Sequence, residues 1–233
     1  TVETEKEVQF EFNDPESGDY AELYGKKIRE QKVFVFHNEN PQIKLSISSS
    51  SACIAIEETK YVDCLEYCDV LWKVMSIISE PEKVPFFIFK RFGLRKINQC
   101  FLMDINYLNK YFEPSHYHVF TLPGPDNIKE KVMQIRDSLE IADYNVNLIR
   151  TLVRGELRGE EAYQVNYDAD MYLIDQESIA ELMRNKDKIA QMNEWLFALY
   201  KDAVTETFLN QLIDGNFDEN MIIGVEANGE GTV

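Results

Sequence analysis

Two arginines, Arg91 and Arg95, and two aspartates, Asp168 and Asp170, are the residues whose types and spacing most invite chemistry. Each pair is separated by an even number of residues in an alternating stretch, so each shares one face of a strand. Two guanidinium groups on one face can clamp phosphate or carboxylate through paired donors. Two carboxylates on one face can hold a hard cation or divide acid and base roles. With Asn98, which closes the first stretch, these residues form the candidate binding set. The competing reading is a ladder of cross-strand ion pairs. It is favoured, because no third oxygen ligand accompanies the aspartates. Gly93 between the arginines leaves room for a guanidinium to lie flat on the sheet. At least one arginine is therefore expected to contact Asp168 or Asp170 and so join the two halves of the fold. If the pair is buried, removing one partner should cost roughly 3–5 kcal/mol.

Other chemistry is sparser. His116 and His118 alternate near Glu113, a start for a zinc site whose remaining ligands are missing. Cys53, Cys64, Cys68 and Cys100 sit in apolar stretches, without a second pair at metal-ligand spacing, and read as reduced thiols. No phosphate-cradling glycine loop, dinucleotide pattern, serine elbow or zinc-protease helix occurs. The expectation is no catalytic residue, no metal and no cofactor.

The stretch Arg91-Phe92-Gly93-Leu94-Arg95-Lys96-Ile97-Asn98 resembles the Arg-x-Gly-Leu-Arg-Tyr-Ile-Asn signature of a prokaryotic family of sporadic distribution, with Lys96 in place of the tyrosine. Asp168-Ala169-Asp170-Met171-Tyr172-Leu173 is similar to that family's Leu-Asp-Ile-Asp strand, with Tyr167 where leucine is usual. Residues 198–206 are similar to its final helix, which ends in Thr-Glu. The resemblance spans most of the chain and implies no established activity.

The elements that must position these residues follow from periodicity. Residues 8–12, 32–37, 42–48 and 52–58 alternate as strands, the last three as a meander. Residues 16–31 carry Tyr20, Leu23, Tyr24 and Ile28 near helical spacing and read as an amphipathic helix or an irregular turn. Asp63 and Glu66 form a capping box for an amphipathic helix that Pro81 stops. Residues 86–102 read as a long strand, 104–112 as a short helix, and 117–122 as strand-like between prolines. Residues 127–138 fit a helix through Ile128, Val132 and Ile135. Strands follow at 144–154 and 161–174, separated by a turn at 155–159, then one long amphipathic helix over 177–212 and a short strand near 221–225. Trp72, Met75, Trp195 and Leu199 are expected in the core. The fold class is α+β: antiparallel sheet packed against two long amphipathic helices, with a layout suggesting a duplicated strand-helix-meander-helix unit. The halves would be residues 1–82 and 83–233, sharing one core as a single domain.

Acids outnumber bases 41 to 24, a net charge of −17. That field opposes nucleic acid, whose binding needs Lys and Arg to displace counterions, and suits either solubility or a basic partner. Lys83, Lys90, Arg91, Arg95 and Lys96 form the only dense basic cluster. No apolar run is long enough to cross a membrane, and residues 1–7 lack a signal peptide's pattern. These features lead to a non-enzymatic, cytoplasmic factor that binds another protein, with homo-oligomerisation open. The alternative is a small-ligand or anion-binding protein or enzyme built around Arg91, Arg95, Asp168 and Asp170.

Overall fold

A computed structural model describes residues 2–10, 26–37, 43–48, 50–56, 64–78, 88–117, 132–185 and 187–223. The chain divides into two compact units, Thr1–Pro85 and Phe86–Val233.

In the first unit β1 (Val2–Phe10), β2 (Lys26–His37), β3 (Ile43–Ile47) and β4 (Ala52–Ile56) form an antiparallel sheet in sequential order. Helix α1 (Cys64–Ile78) follows and packs on β4. Val33, Val35 and Ile43 are buried. The meander thus has four strands, because β1 joins it. The expected helix or turn over 16–31 is corrected where it is described: residues 26–31 are strand, paired from Phe10↔Lys26 to Glu5↔Gln31. Backbone pairing along β1 overrides a weak helical spacing. Residues 16–25 and the capping position Asp63 lie outside the described residues.

The second unit is built on β5 (Phe92–Leu102), β6 (Val132–Ile141), β7 (Tyr144–Leu157), β8 (Glu160–Leu173) and β9 (Met221–Ile223). Their order is β6-β7-β8-β5-β9, with each neighbouring pair antiparallel. It differs from the sequential order of the first sheet. A 3-10 turn (Ile105–Tyr107), capped by Asp104, leads into α2 (Leu108–Tyr111). Helices α3 (Gln176–Arg184), α4 (Asp187–Ala203) and α5 (Glu206–Asp214) follow β8. α4 lies on β5 and β8, while α2 and α5 pack together. Strict alternation sets the inner face: Val146, Leu148 and Leu152 of β7 and Val165, Tyr167, Ala169 and Met171 of β8 are all buried. Mixed antiparallel sheets and helices make this an α+β protein. No helix of the described residues is long and apolar enough to cross a membrane.

Two further expectations change. Residues 132–138 are the strand β6, paired with β7 along its whole length, not a helix. The long helix over 177–212 is three helices. Asn185 ends α3, with its N–H donating back to Glu181 and Leu182. Val204 leaves helical geometry to bridge Phe112, and Thr205 caps α5. The buried stripe of α4 runs through Ile189, Met192 and Leu196, and Trp195, off that stripe, is 40% exposed instead of buried. Trp72, Met75 and Leu199 are half-buried.

Candidate functional site

Arg91 and Arg95 stand on the outer face of the five-stranded sheet, opposite the helices, beside β8. The register sets Gly93 against Tyr172, Arg95 against Asp170 and Ile97 against Asp168. Each arginine reaches along the sheet instead of straight across. Arg95 donates through Nε (2.7 Å) and Nη2 (2.5 Å) to the two carboxylate oxygens of Asp168. Arg91 donates to Asp170 (2.6 Å) with its guanidinium 4.3 Å above the Tyr172 ring. Gly93 is what allows this: a Cβ there would lie 3.0 Å from Arg91 Nη1 and 3.2 Å from Tyr172 Cβ. The hydrogen bond to Asp168, opposed by partial desolvation, holds the Arg95 guanidinium above its ordinary pKa.

Four of the five candidate residues therefore come together, as an ion-pair ladder between two strands of one sheet. Both strands belong to the second unit, so the ladder does not join the two halves. The arginine side chains are 47% and 56% exposed, so the ladder is a surface feature and the cost expected for a buried pair does not apply. Asn98 does not take part: it faces Tyr167 in the register and lies on the opposite face from the arginines. Alternation also separates Lys96 from the arginines, which splits the basic cluster. Lys83 and His118 lie outside the described residues.

The inner face holds a group that sequence reasoning missed. Arg150 is 6% exposed, the only charged residue among the buried described residues. Its Nη2 pairs with Asp137 of β6, and its Nη1 donates to His116 Nδ1 (2.9 Å). An arginine has only donors, so His116 Nδ1 accepts and Nε2–H donates to Asp202 of α4 (3.1 Å). His116 thus serves as a structural relay from a buried cation to an exposed carboxylate. No group of three or more His, Cys, Asp or Glu suited to a metal occurs among the described residues. Tyr167, opposite Arg150, packs edge-on against Tyr200 at 5.3 Å. Burial pushes its hydroxyl up, with Arg150 opposing and Asp202 adding to the shift. The missed signal was there to read: Arg150 falls in the apolar phase of the alternation Val146, Leu148, Leu152.

The first unit contributes a surface of another kind. Phe34 and Phe36 share one face of β2 and are 47% and 53% exposed. Their register partners on β3 are Ile47 and Leu45, and Leu45 in turn faces Ile54 of β4. Five apolar side chains thus run across three strands on one side of the sheet.

No family model matches the chain, and no curated protein or solved structure matches it.

Proposed function

We propose that this chain is a non-enzymatic, cytoplasmic accessory factor that binds another protein through the Phe34–Phe36 face of its first sheet. The observation that carries the reading is the half-exposed aromatic pair on β2, backed by Ile47 and Leu45. Single exposed apolar residues are ordinary, but a contiguous stripe centred on aromatics is what the core of a protein interface is made of. The net charge of −17 would draw a basic partner at long range, leaving the apolar stripe to hold it. Cys100 is a buried free thiol, which suits a reducing compartment. The signature at Arg91–Asn98 supports membership of the sporadic prokaryotic family it resembles. The alternative, an anion site at Arg91 and Arg95, is weakened because both guanidinium groups already hold carboxylates.

The test is capture of partners from native lysate by the full chain, then sizing of the complex and hydrogen-exchange mapping. A stoichiometric complex that protects β2 and β3 is expected. Phe34→Glu with Phe36→Glu should abolish it, while Ile97→Glu in the second unit should not. Recovery of monomer or homo-oligomer alone, or a complex indifferent to the phenylalanine changes, would overturn the reading.

A further inference from the structure

Of the four buried side-chain polar atoms without a hydrogen-bond partner among the described residues, two belong to facing residues beneath the five-stranded sheet. Arg150 Nε and Tyr167 Oη are both sealed from solvent and make no hydrogen bond. They belong to directly opposed positions of β7 and β8, where facing Cβ atoms lie about 5 Å apart. Neither side chain is free to turn away. The guanidinium is held at Nη2 by Asp137 and at Nη1 by His116. The phenol ring is held against Tyr200. Buried polar groups left without partners are rare, and two at one register position point to a shared one.

We infer that a single internal water molecule lies between them, accepting from Arg150 Nε–H and from the Tyr167 hydroxyl. The two lone pairs of water match the two donors, and the surroundings are polar enough to hold it. An anion could accept from the same two donors. However, Asp137 already balances the guanidinium, and Asp202 is close enough to act on the Tyr167 hydroxyl. A further negative charge in this low-dielectric site would have nothing left to neutralise it. The charge balance therefore selects a neutral ligand, and a water there would tie β7 to β8 on the inner face. This conclusion is independent of what the first unit binds.

The experiment is a pair of crystal structures of the full chain at about 1.5 Å, one grown in chloride and one in bromide, with thermal denaturation of Tyr167→Phe. A peak within the usual range of about 2.7–3.2 Å of both atoms, in both salts and without anomalous signal at the bromine edge, is the expected result. Tyr167→Phe should then lower Tm by about 2–4 °C, because the water loses one of its two anchors. Three results would overturn the inference: a bromide signal, which makes the site an anion site; no peak near both atoms; or a Tyr167→Phe protein with a raised Tm, the behaviour of a hydroxyl that had no partner to lose.

Discussion

Arg150 and Arg95 are both paired with aspartate, yet burial sets them apart. Arg150 is enclosed, and Asp137 is the one carboxylate that pairs with it directly among the described residues. Asp137→Ala would leave a buried guanidinium without compensation and should destabilise the protein by on the order of 3 kcal/mol, measured by urea unfolding. Replacing both partners, Asp137→Leu with Arg150→Met, should recover most of that loss; failure to recover any would mean the cluster supplies more than charge balance. Arg95 is half in solvent, so its bidentate geometry is screened. A double-mutant cycle between Arg95→Ala and Asp168→Ala should give a coupling of about 1 kcal/mol or less, shrinking further at high salt. Gly93 acts through the other arginine. A valine there would need the space of Arg91 Nη1 and Tyr172 Cβ. Gly93→Val should therefore lift Arg91 off the ring and make a subsequent Arg91→Ala change neutral; an Arg91→Ala cost unchanged in that background would sink this account.

Caps and turns decide where the elements stop, and they also explain what could be read from the chain in advance. Thr205 Oγ1 accepts from the N–H of Phe208 (3.3 Å) and donates to the carbonyl of Lys110 (2.7 Å), so it caps α5 and anchors it to α2. Thr205→Ala should cost about 1–2 kcal/mol, at the upper end for a lost cap. The β6–β7 connection is the two-residue turn Ala142–Asp143, with Ala142 at φ 52°. An L-residue other than Asn or Asp is strained there and achiral glycine is not, so Ala142→Gly should raise stability by about 1 kcal/mol. That alanine also explains why the spacing over residues 127–138 fits a helix. The other hairpin announces itself through Arg158–Gly159, both at positive φ, whereas Ala142 carries no turn signal. Strands β7, β8 and β9 were legible because alternation is strong over their length. The single long helix was not, because its apolar spacing continues through Asn185 and Thr205, and the interruptions come from tertiary partners such as Phe112. At the site, the ladder was legible from parity alone. The Arg150 cluster was not, because it depends on His116 and Asp202 being brought together from a turn and a helix end far apart in sequence.

On the scale of the whole molecule, the titrating groups buried in the second unit bound its stability on the alkaline side. Burial pushes the Cys100 thiol up to about 12. It raises the Tyr117, Tyr167 and Tyr200 hydroxyls well above their ordinary range as well. In the unfolded chain the thiol ionises near pH 8.5 and the phenols near 10. Between those values and the raised native ones, the unfolded state binds fewer protons than the folded state, so stability falls as pH rises. The sign is opposite for Asp218. Its carboxylate is held low by the hydrogen bond from Lys110 and by those from Asn220, so what it contributes is present above about pH 4 and lost as pH falls below it. Urea midpoints should therefore be level from pH 7 to 8 and decline from about pH 9, with a limiting slope of about 1.4 kcal/mol per pH unit for each group in play. Cys100→Ala should remove the earliest part of the decline, since only the thiol titrates below the phenols. Phenolate absorbance gives the independent check: Tyr117, Tyr167 and Tyr200 should stay silent near pH 10 in the folded protein and appear together with unfolding. Full tyrosine titration near pH 10 with the fold intact would show that these hydroxyls are not enclosed by the sheet and its helices.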